Sequence, residues 1–331
     1  MNKNHTNITD LREGQTVHEC LLIDNIRPSV TKQGNNFYFA EVRDATGKMS
    51  AVCWEPDGSV TDAQNGTIVN VIGTVGSYNG QLQLCIESAA PVDPADVYED
   101  MLQALVPSAP IDLEEYRQTL VDLIASIRDG DIRDICEYTL CCCWWEEFTT
   151  YPAAKSCHHA FRYGLLMHTV DMARLADQLL ALKPGCVNRD LLIAGILLHD
   201  VGKVTEFAVS PVTGLVTGYT AAGNLVGHSV LGAQEIEEAA AVVGARTEVV
   251  QLLKHMVLAH HGDPNCGAAK EPATIEAELL HALDLLDSRR QIYVENLALT
   301  PEGEFSAKIF ALGRAIYHHT LAASPAAQKE V

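Results

Sequence analysis

The chain has 331 residues, 47% of them hydrophobic, and a formal net charge of −20. That hydrophobic content excludes global disorder, and the length favours two compact units over one. The acidic balance excludes broad electrostatic attraction to nucleic acid, but not binding at a cleft where bound cations reverse the local field.

The N-terminal segment (MNKNHTNITDLREGQ) is polar, and no run approaches the roughly twenty apolar residues of a membrane span. Neither a signal peptide nor a membrane partner is expected. The ten cysteines include no Cys-x-x-Cys pair, and Cys141-Cys142-Cys143 are consecutive. Neighbours on a helix point in different directions, so this trio cannot close a tetrahedral thiolate site alone. Reduced cysteines in a cytoplasmic protein are expected.

From about Gly14 to Val92 short β-rich runs alternate with turns. Gln15–Ile26, Asn36–Arg43, Lys48–Trp54, Thr67–Val75 and Gln81–Glu87 are predicted strands. Gln33-Gly34-Asn35, Ala45-Thr46-Gly47, Asn65-Gly66 and Tyr78-Asn79-Gly80 are predicted turns. Five such strands suit a small barrel of the OB type, assigned to residues 1–92. Pro91–Pro110 is rich in proline and acids, and residues 93–112 read as a linker.

Beyond it the period becomes helical, giving an all-α bundle over residues 113–331. Helices are predicted at Leu113–Arg128, Ile132–Phe148, Leu165–Leu182, Arg189–His199, Gly227–Val243, Thr247–Ala259, Thr274–Gln291 and Phe305–Leu321. Gly185, Gly244 and Gly262 fall where left-handed caps end helices. Val209–Asn224, β-branched and glycine-rich, reads as a hairpin or loop crossing this domain. The whole is therefore a multidomain α and β chain.

Histidines, thirteen in all, concentrate in the helical half. The sharpest cluster is His199-Asp200-Val201-Gly202-Lys203, ending an apolar helix. Placing polar groups at the end of a buried helix is costly unless something uses them. His168, His228, His260-His261, Asp284 and Asp287 are further candidates. Imidazoles mixed with carboxylates, without thiolates, suit manganese, iron, cobalt or zinc in open coordination. The set exceeds what one ion needs, and two ions about 3.5–4 Å apart, bridged by a carboxylate, use it well. Asp200 is the expected bridge.

His168, then His199-Asp200, then a distant aspartate resembles the HD phosphohydrolase superfamily. His228 with Gly232, together with His260-His261, looks like its two-metal subset. The run from Phe148 through Tyr151-Pro152-Ala153-Ala154-Lys155 and Cys157-His158-His159 to His168 is similar to the YhaM-type bacterial 3′-5′ exoribonucleases, which join an OB domain to an HD domain. That resemblance covers nearly the whole chain.

It implies a first metal on His168, His199, Asp200 and Asp284, and a second on His228, His260 and His261 with Asp200 shared. Asp287 rivals Asp284 from the same helix, and Asp284 is preferred. Two divalent ions are implied, manganese foremost, with iron, cobalt, nickel or zinc as alternatives. Asp200 and Lys203 are the expected catalytic residues, Lys203 neutralising a phosphate oxygen. His158 and His159 are expected either to bind substrate or to support a ligand. Arg162-Tyr163-Gly164 stands where the family usually shows two glycines, and Arg162 is expected either to contact a phosphate or only to cover the mouth of the site. A homo-oligomer is plausible by family resemblance alone.

In Asn36–Arg43, alternation puts Phe37, Phe39, Glu41 and Arg43 on one face. Such a face suits either stacking of single-stranded RNA or DNA, with Trp54 and Tyr78 extending it, or packing into the barrel and against the helical domain. Residues 1–90 carry six Lys/Arg against ten Asp/Glu, a net of −4, so affinity is expected to rest on stacking and metal contacts. The resulting expectation is a 3′-5′ exonuclease on single-stranded RNA, with single-stranded DNA left open as a second substrate, releasing nucleoside 5′-monophosphates. Two alternatives stand beside it: a hydrolase of a cyclic dinucleotide or nucleoside triphosphate, and a nucleic-acid-binding regulator with an inactive HD domain.

Overall fold

The structure is a computed structural model that describes residues 5–54, 60, 66–156, 158–183 and 185–321. Asn65 of the predicted Asn65-Gly66 turn and Cys157 lie outside the described residues.

Five strands close the N-terminal barrel: β1 (Thr16–Val30), β2 (Asn36–Arg43), β3 (Lys48–Cys53), β4 (Thr67–Tyr78) and β5 (Gln81–Pro91), in the order β1-β2-β3-β5-β4. Only the β3–β5 contact is parallel. Alternation sends Leu21, Ile23, Val42, Ala51, Val69, Val71 and Leu84 into a shared core. Three strands run longer than predicted. β1 passes Asn25 by a bulge between Asp24 and Arg27, with Asn25 itself at φ +51. β4 absorbs Gly76 and Ser77, and Asn79-Gly80, both at positive φ, close the two-residue hairpin to β5.

A buried carboxylate ties the N-terminal segment to this barrel. Asp44 accepts from the amides of Ile8 (2.7 Å), Thr46 (2.7 Å) and Gly47 (3.0 Å), and from Thr46 Oγ1 at 2.6 Å. Burial alone raises its pKa, but the bonds from Thr46 and Ile8 outweigh that and hold it below the ordinary value. A depressed carboxylate stabilises the fold above the unfolded value of about 3.9 and loses that contribution as pH falls through the folded value. Asp44→Ala, leaving these donors unpaired, lowers unfolding free energy by about 2–3 kcal/mol at neutral pH. Its deficit shrinks on acidification, a trend checked by urea melts at two pH values.

The predicted linker is ordered. A turn at Pro94–Asp96 leads into α1 (Glu99–Leu105), whose Met101 and Leu105 join Val106 and the barrel's Leu22 and Ile68 in one apolar cluster. The helical domain then runs α2 (Leu113–Ala125), α3 (Gly130–Glu137), a π-helical stretch Tyr138–Cys143, α4 (Trp145–Thr150), α5 (Gly164–Leu182), α6 (Arg189–Leu198) and α7 (Lys203–Glu206). A hairpin, β6 (Phe207–Val209) with β7 (Val216–Tyr219), and a short α8 (Ala221–Leu225) precede α9 (His228–Val243), α10 (Thr247–Ala259) and α11 (Ile275–Leu297). The residues of α6 from Leu191 to Leu198 are all buried, which makes it the axis of the bundle.

Three helical expectations are corrected. Ile132–Phe148 is broken at Trp144, whose indole is drawn to Glu235 of α9 at 2.8 Å. Gly185 is no left-handed cap; α5 ends at Leu182, whereas Gly244 and Gly262 do take positive φ. Phe305–Leu321 is not helical. It doubles back through bridges Phe305↔Tyr317 and Ile309↔Arg314 around a turn at Phe310–Leu312, with Gly313 at φ +66. Ile316 alone of that stretch is buried, so no apolar face exists to hold a helix.

Candidate metal centre

The buried end of α6 delivers His199 and Asp200 to the middle of the helical domain, where they are 0% and 2% exposed. His168 comes from α5, Asp284 from α11, His228 from the first turn of α9, and His260 and His261 from the end of α10. Donor atoms of His168, His199 and Asp284 lie within 4.8 Å of one another, as do those of His228, His260 and His261. Asp200 stands between the two groups. Its Oδ2 is 3.3 Å from His199 Nε2 and 3.8 Å from His168 Nε2. Its Oδ1 is 3.7 Å from His228 Nε2 and 3.9 Å from His260 Nε2. One carboxylate thus turns a different oxygen to each group.

The tautomers follow from the partners. A carbonyl cannot donate, so an imidazole nitrogen facing one must carry the hydrogen. His199 Nδ1 donates to Ile196 O at 2.8 Å, His260 Nδ1 to Val257 O at 2.6 Å, and His261 Nδ1 to Cys266 O at 3.3 Å. His168 Nδ1 donates to Asp287 at 2.7 Å, and His228 Nδ1 to Glu206 at 3.2 Å. All five rings therefore turn an Nε2 lone pair inward, as cation-binding imidazoles do. His168 Nε2 and His199 Nε2 are 3.2 Å apart, and His228 Nε2 and His261 Nε2 are 3.1 Å apart. Lone pairs facing each other at such distances repel unless a cation lies between them. The donor set fits divalent metal.

At His199 burial lowers the pKa but the adjacent Asp200 outweighs it and raises it, whereas His260, His261 and Asp200 are tuned to the ligating forms. Burial, then the neighbouring His199 and His261, push the pKa of His260 well below the ordinary histidine value. Burial and His228 lower that of His261. Burial would raise Asp200, but Lys203 and His199 hold it far below the carboxylate range. Neutral imidazole and ionised carboxylate are the forms that ligate.

Asp284 and Asp287 occupy different places. Asp284 Oδ1 is 3.5 Å from His168 Nε2 and faces the cluster. Asp287 Oδ2 stands behind it, accepting from His168 Nδ1 and His159 Nε2 at 2.7 Å each. His159 is 1% exposed, so of its two expected roles it takes the supporting one and is withdrawn from substrate. His158 differs. Its Nδ1 is buried with no partner, and burial lowers its pKa to about 4, so the ring is neutral. Lys203 Nζ lies 2.5 Å from Asp200 Oδ2, at the edge of the centre.

Arg162 lies at the junction of the connector and the helical domain. Its guanidinium pairs with Glu99 of α1 at 3.3 Å, and its backbone bonds Pro107 and Ala109, stitching the connector to the helical domain. Two further residues support the ligands, and the first of them escaped sequence reasoning. Glu206 orients His228, and His281 donates from Nδ1 to His260 O at 2.8 Å beneath the turn at Gly262. A carboxylate three residues after Lys203 was the available signal for the first.

On the barrel, Phe37 and Trp54 stack with centroids 4.9 Å apart, and Arg27 lies 4.6 Å over Phe39. Arg27 was not anticipated, because the bulge in β1 is what brings it opposite Phe39. Trp54 is 50% exposed. Arg43 is engaged by Asp24 at 3.3 Å. Tyr78 is exposed and pairs with Gln81 at the start of β5, four residues before Cys85, the partner of Val52 in β3. Phe37, Phe39 and Trp54 are thus grouped at one place on the barrel.

Residues 165–289 match the HD domain family, and residues 22–92 match the OB-fold nucleic acid binding domain. The 3′-5′ exoribonuclease YhaM of Listeria welshimeri is 35% identical over 319 residues, 95% of this chain and 98% of that protein. The proteins of that name from Bacillus pumilus and Bacillus subtilis are each 35% identical, over 311 and 312 residues, covering 93% of this chain and 96% of theirs. The chain belongs to the YhaM family. The inward-facing donors from His168 to Asp284 fall within the first matched region, and Phe37, Phe39 and Trp54 within the second. Among the described residues no helix is long and apolar enough to cross a membrane.

Proposed function

We propose that this chain is a cytoplasmic, metal-dependent 3′-5′ exoribonuclease that degrades single-stranded RNA, and single-stranded DNA more weakly, to nucleoside 5′-monophosphates. The observation that carries the reading is Asp200, which offers one oxygen to each of two groups of inward-facing donors in a YhaM-family HD domain. His168, His199, Asp284 and Asp200 would hold one ion, and His228, His260, His261 and Asp200 the other, with manganese the preferred metal. Such ions, when bound, supply Lewis-acid activation of water and neutralise charge at phosphorus.

The protein's own groups do the rest. Asp287 and Glu206 lock the rings of His168 and His228, and the carbonyls of Ile196 and Val257 do the same for His199 and His260. Lys203, free to leave Asp200 once cations neutralise it, steadies a non-bridging phosphate oxygen. His158 is neutral, unpartnered and next to His168, and hydrogen-bonds the scissile phosphate region. Phe37, Phe39 and Trp54 stack upstream bases on the barrel.

With 5′-labelled single-stranded RNA, manganese produces a ladder shortening from the 3′ end, and EDTA abolishes it. Turnover of small nucleotides without any RNA product contradicts the proposal. Trp54→Ala weakens binding of single-stranded RNA by about 5- to 100-fold, the worth of one stacked base at about 1–3 kcal/mol. Fluorescence anisotropy measures it, and Tyr78→Ala serves as a near-neutral control.

A further inference from the structure

The β6–β7 hairpin leaves the metal centre, touches the barrel and returns. Glu206 ends α7 and Phe207 begins β6 at once, while the return passes through β7 and α8 to His228. The base of this excursion is closed on Glu206. Its carboxylate accepts from the amide and Nδ1 of His228, at 3.0 and 3.2 Å, and its carbonyl accepts from the amide of Thr220 at 2.9 Å. Gly223 lies so close that a Cβ there would stand 2.4 Å from that carbonyl.

The tip is buried between the domains. Thr213 is 0% and Leu215 3% exposed. Thr213 Oγ1 donates to Gly66 O of the barrel at 3.4 Å, and Leu215 joins Leu22 and Ile68 of the barrel with Met101, Leu105 and Val106 of the connector. Gly66, at φ +73, leaves room for Thr217, whose methyl would stand 2.7 Å from a Cβ there. Arg162 covers Gly214 at the turn while pairing with Glu99. A surface hairpin of a helical domain has no need of such a socket for its own stability.

We propose that this hairpin sets the spacing between the barrel and the metal centre, and so determines that RNA long enough to reach both is preferred. The inference rests on the exoribonuclease reading above. Two sites held at fixed separation act on one strand as linked binding events, and the gain vanishes when the separation is no longer held. Leu215 and Gly66 are then positioning residues that touch neither substrate nor metal.

The test uses full-length, manganese-loaded protein with two substrates, a long single-stranded oligoribonucleotide and bis(p-nitrophenyl) phosphate. Leu215→Asp expels the tip from its cluster, and Gly66→Ala forces the same contact apart from the barrel side. Each raises KM for the long RNA by about tenfold while kcat/KM for the small diester stays within about twofold. Equal losses on both substrates would mean that the hairpin serves only to hold His228, and would overturn the proposal. An unchanged KM for RNA in folded Gly66→Ala protein would overturn it as well. Wild-type protein that cleaves the diester but no RNA defeats the exoribonuclease reading first, before the variants are compared.

Discussion

Replacing Asp200 by asparagine lowers kcat on RNA by about four orders of magnitude or more, equivalent to about 5.5 kcal/mol of transition-state stabilisation. Asparagine keeps the shape of the side chain and removes the charge that both donor groups share. It also turns an amide nitrogen, which cannot ligate, toward one of them. Asp200 Oδ2 and Oδ1 lie 3.3–3.9 Å from four imidazole nitrogens, so no other orientation of the amide serves both sides. The fold survives, because asparagine keeps the volume of aspartate and its amide oxygen still accepts from Lys203. Circular dichroism and a manganese titration separate the two effects: native ellipticity persists, and the titration loses at least one equivalent. Wild-type turnover by Asp200→Asn would remove the carboxylate from the mechanism.

Gly202→Ala produces the second large effect, for a steric reason. Gly202 has φ −62, so alanine suits its backbone, and only space forbids it. A Cβ there would stand 2.0 Å from His228 O and 2.6 Å from Gly232 N, both backbone atoms of α9. Neither can yield without moving the helix that carries His228. The expected cost is about 3 kcal/mol or more of stability, with activity reduced at least about a hundredfold through displacement of one ligand. Gly195→Ala is the informative control. Its Cβ would meet the flexible end of Met256 at 2.1 Å, so it costs less stability and leaves the ligands in place. Thermal melts and RNA turnover on the two variants check this ordering.

The His199-Asp200 pair was readable because charge at the end of a buried apolar helix is conspicuous, and the remaining candidate ligands because imidazoles recur at helix ends. The barrel was readable from alternation and from turn dipeptides such as Asn79-Gly80. What the sequence concealed was three-dimensional pairing. Asp284 and Asp287 differ by less than one helical turn, and only the donation of His168 and His159 to Asp287 separates them. The pairing of Arg162 with Glu99 was hidden because Glu99 belongs to a segment that read as a linker. Tyr163, which follows Arg162 where a glycine is usual for the family, keeps the left-handed backbone at φ +65. The final stretch looked helical because apolar spacing near Phe305 and Phe310 has the right period, yet almost none of it finds a surface to bury against. Interdomain contacts such as Leu215 against Leu22 and Ile68 leave no local periodic trace at all.

An anomalous difference map from crystals grown with manganese addresses the central claim most directly. Two peaks about 3.5–4 Å apart on opposite sides of the Asp200 carboxylate, one at His168, His199 and Asp284 and one at His228, His260 and His261, are the predicted result. A single peak away from Asp200, in crystals whose dissolved protein degrades RNA at full rate, would contradict it.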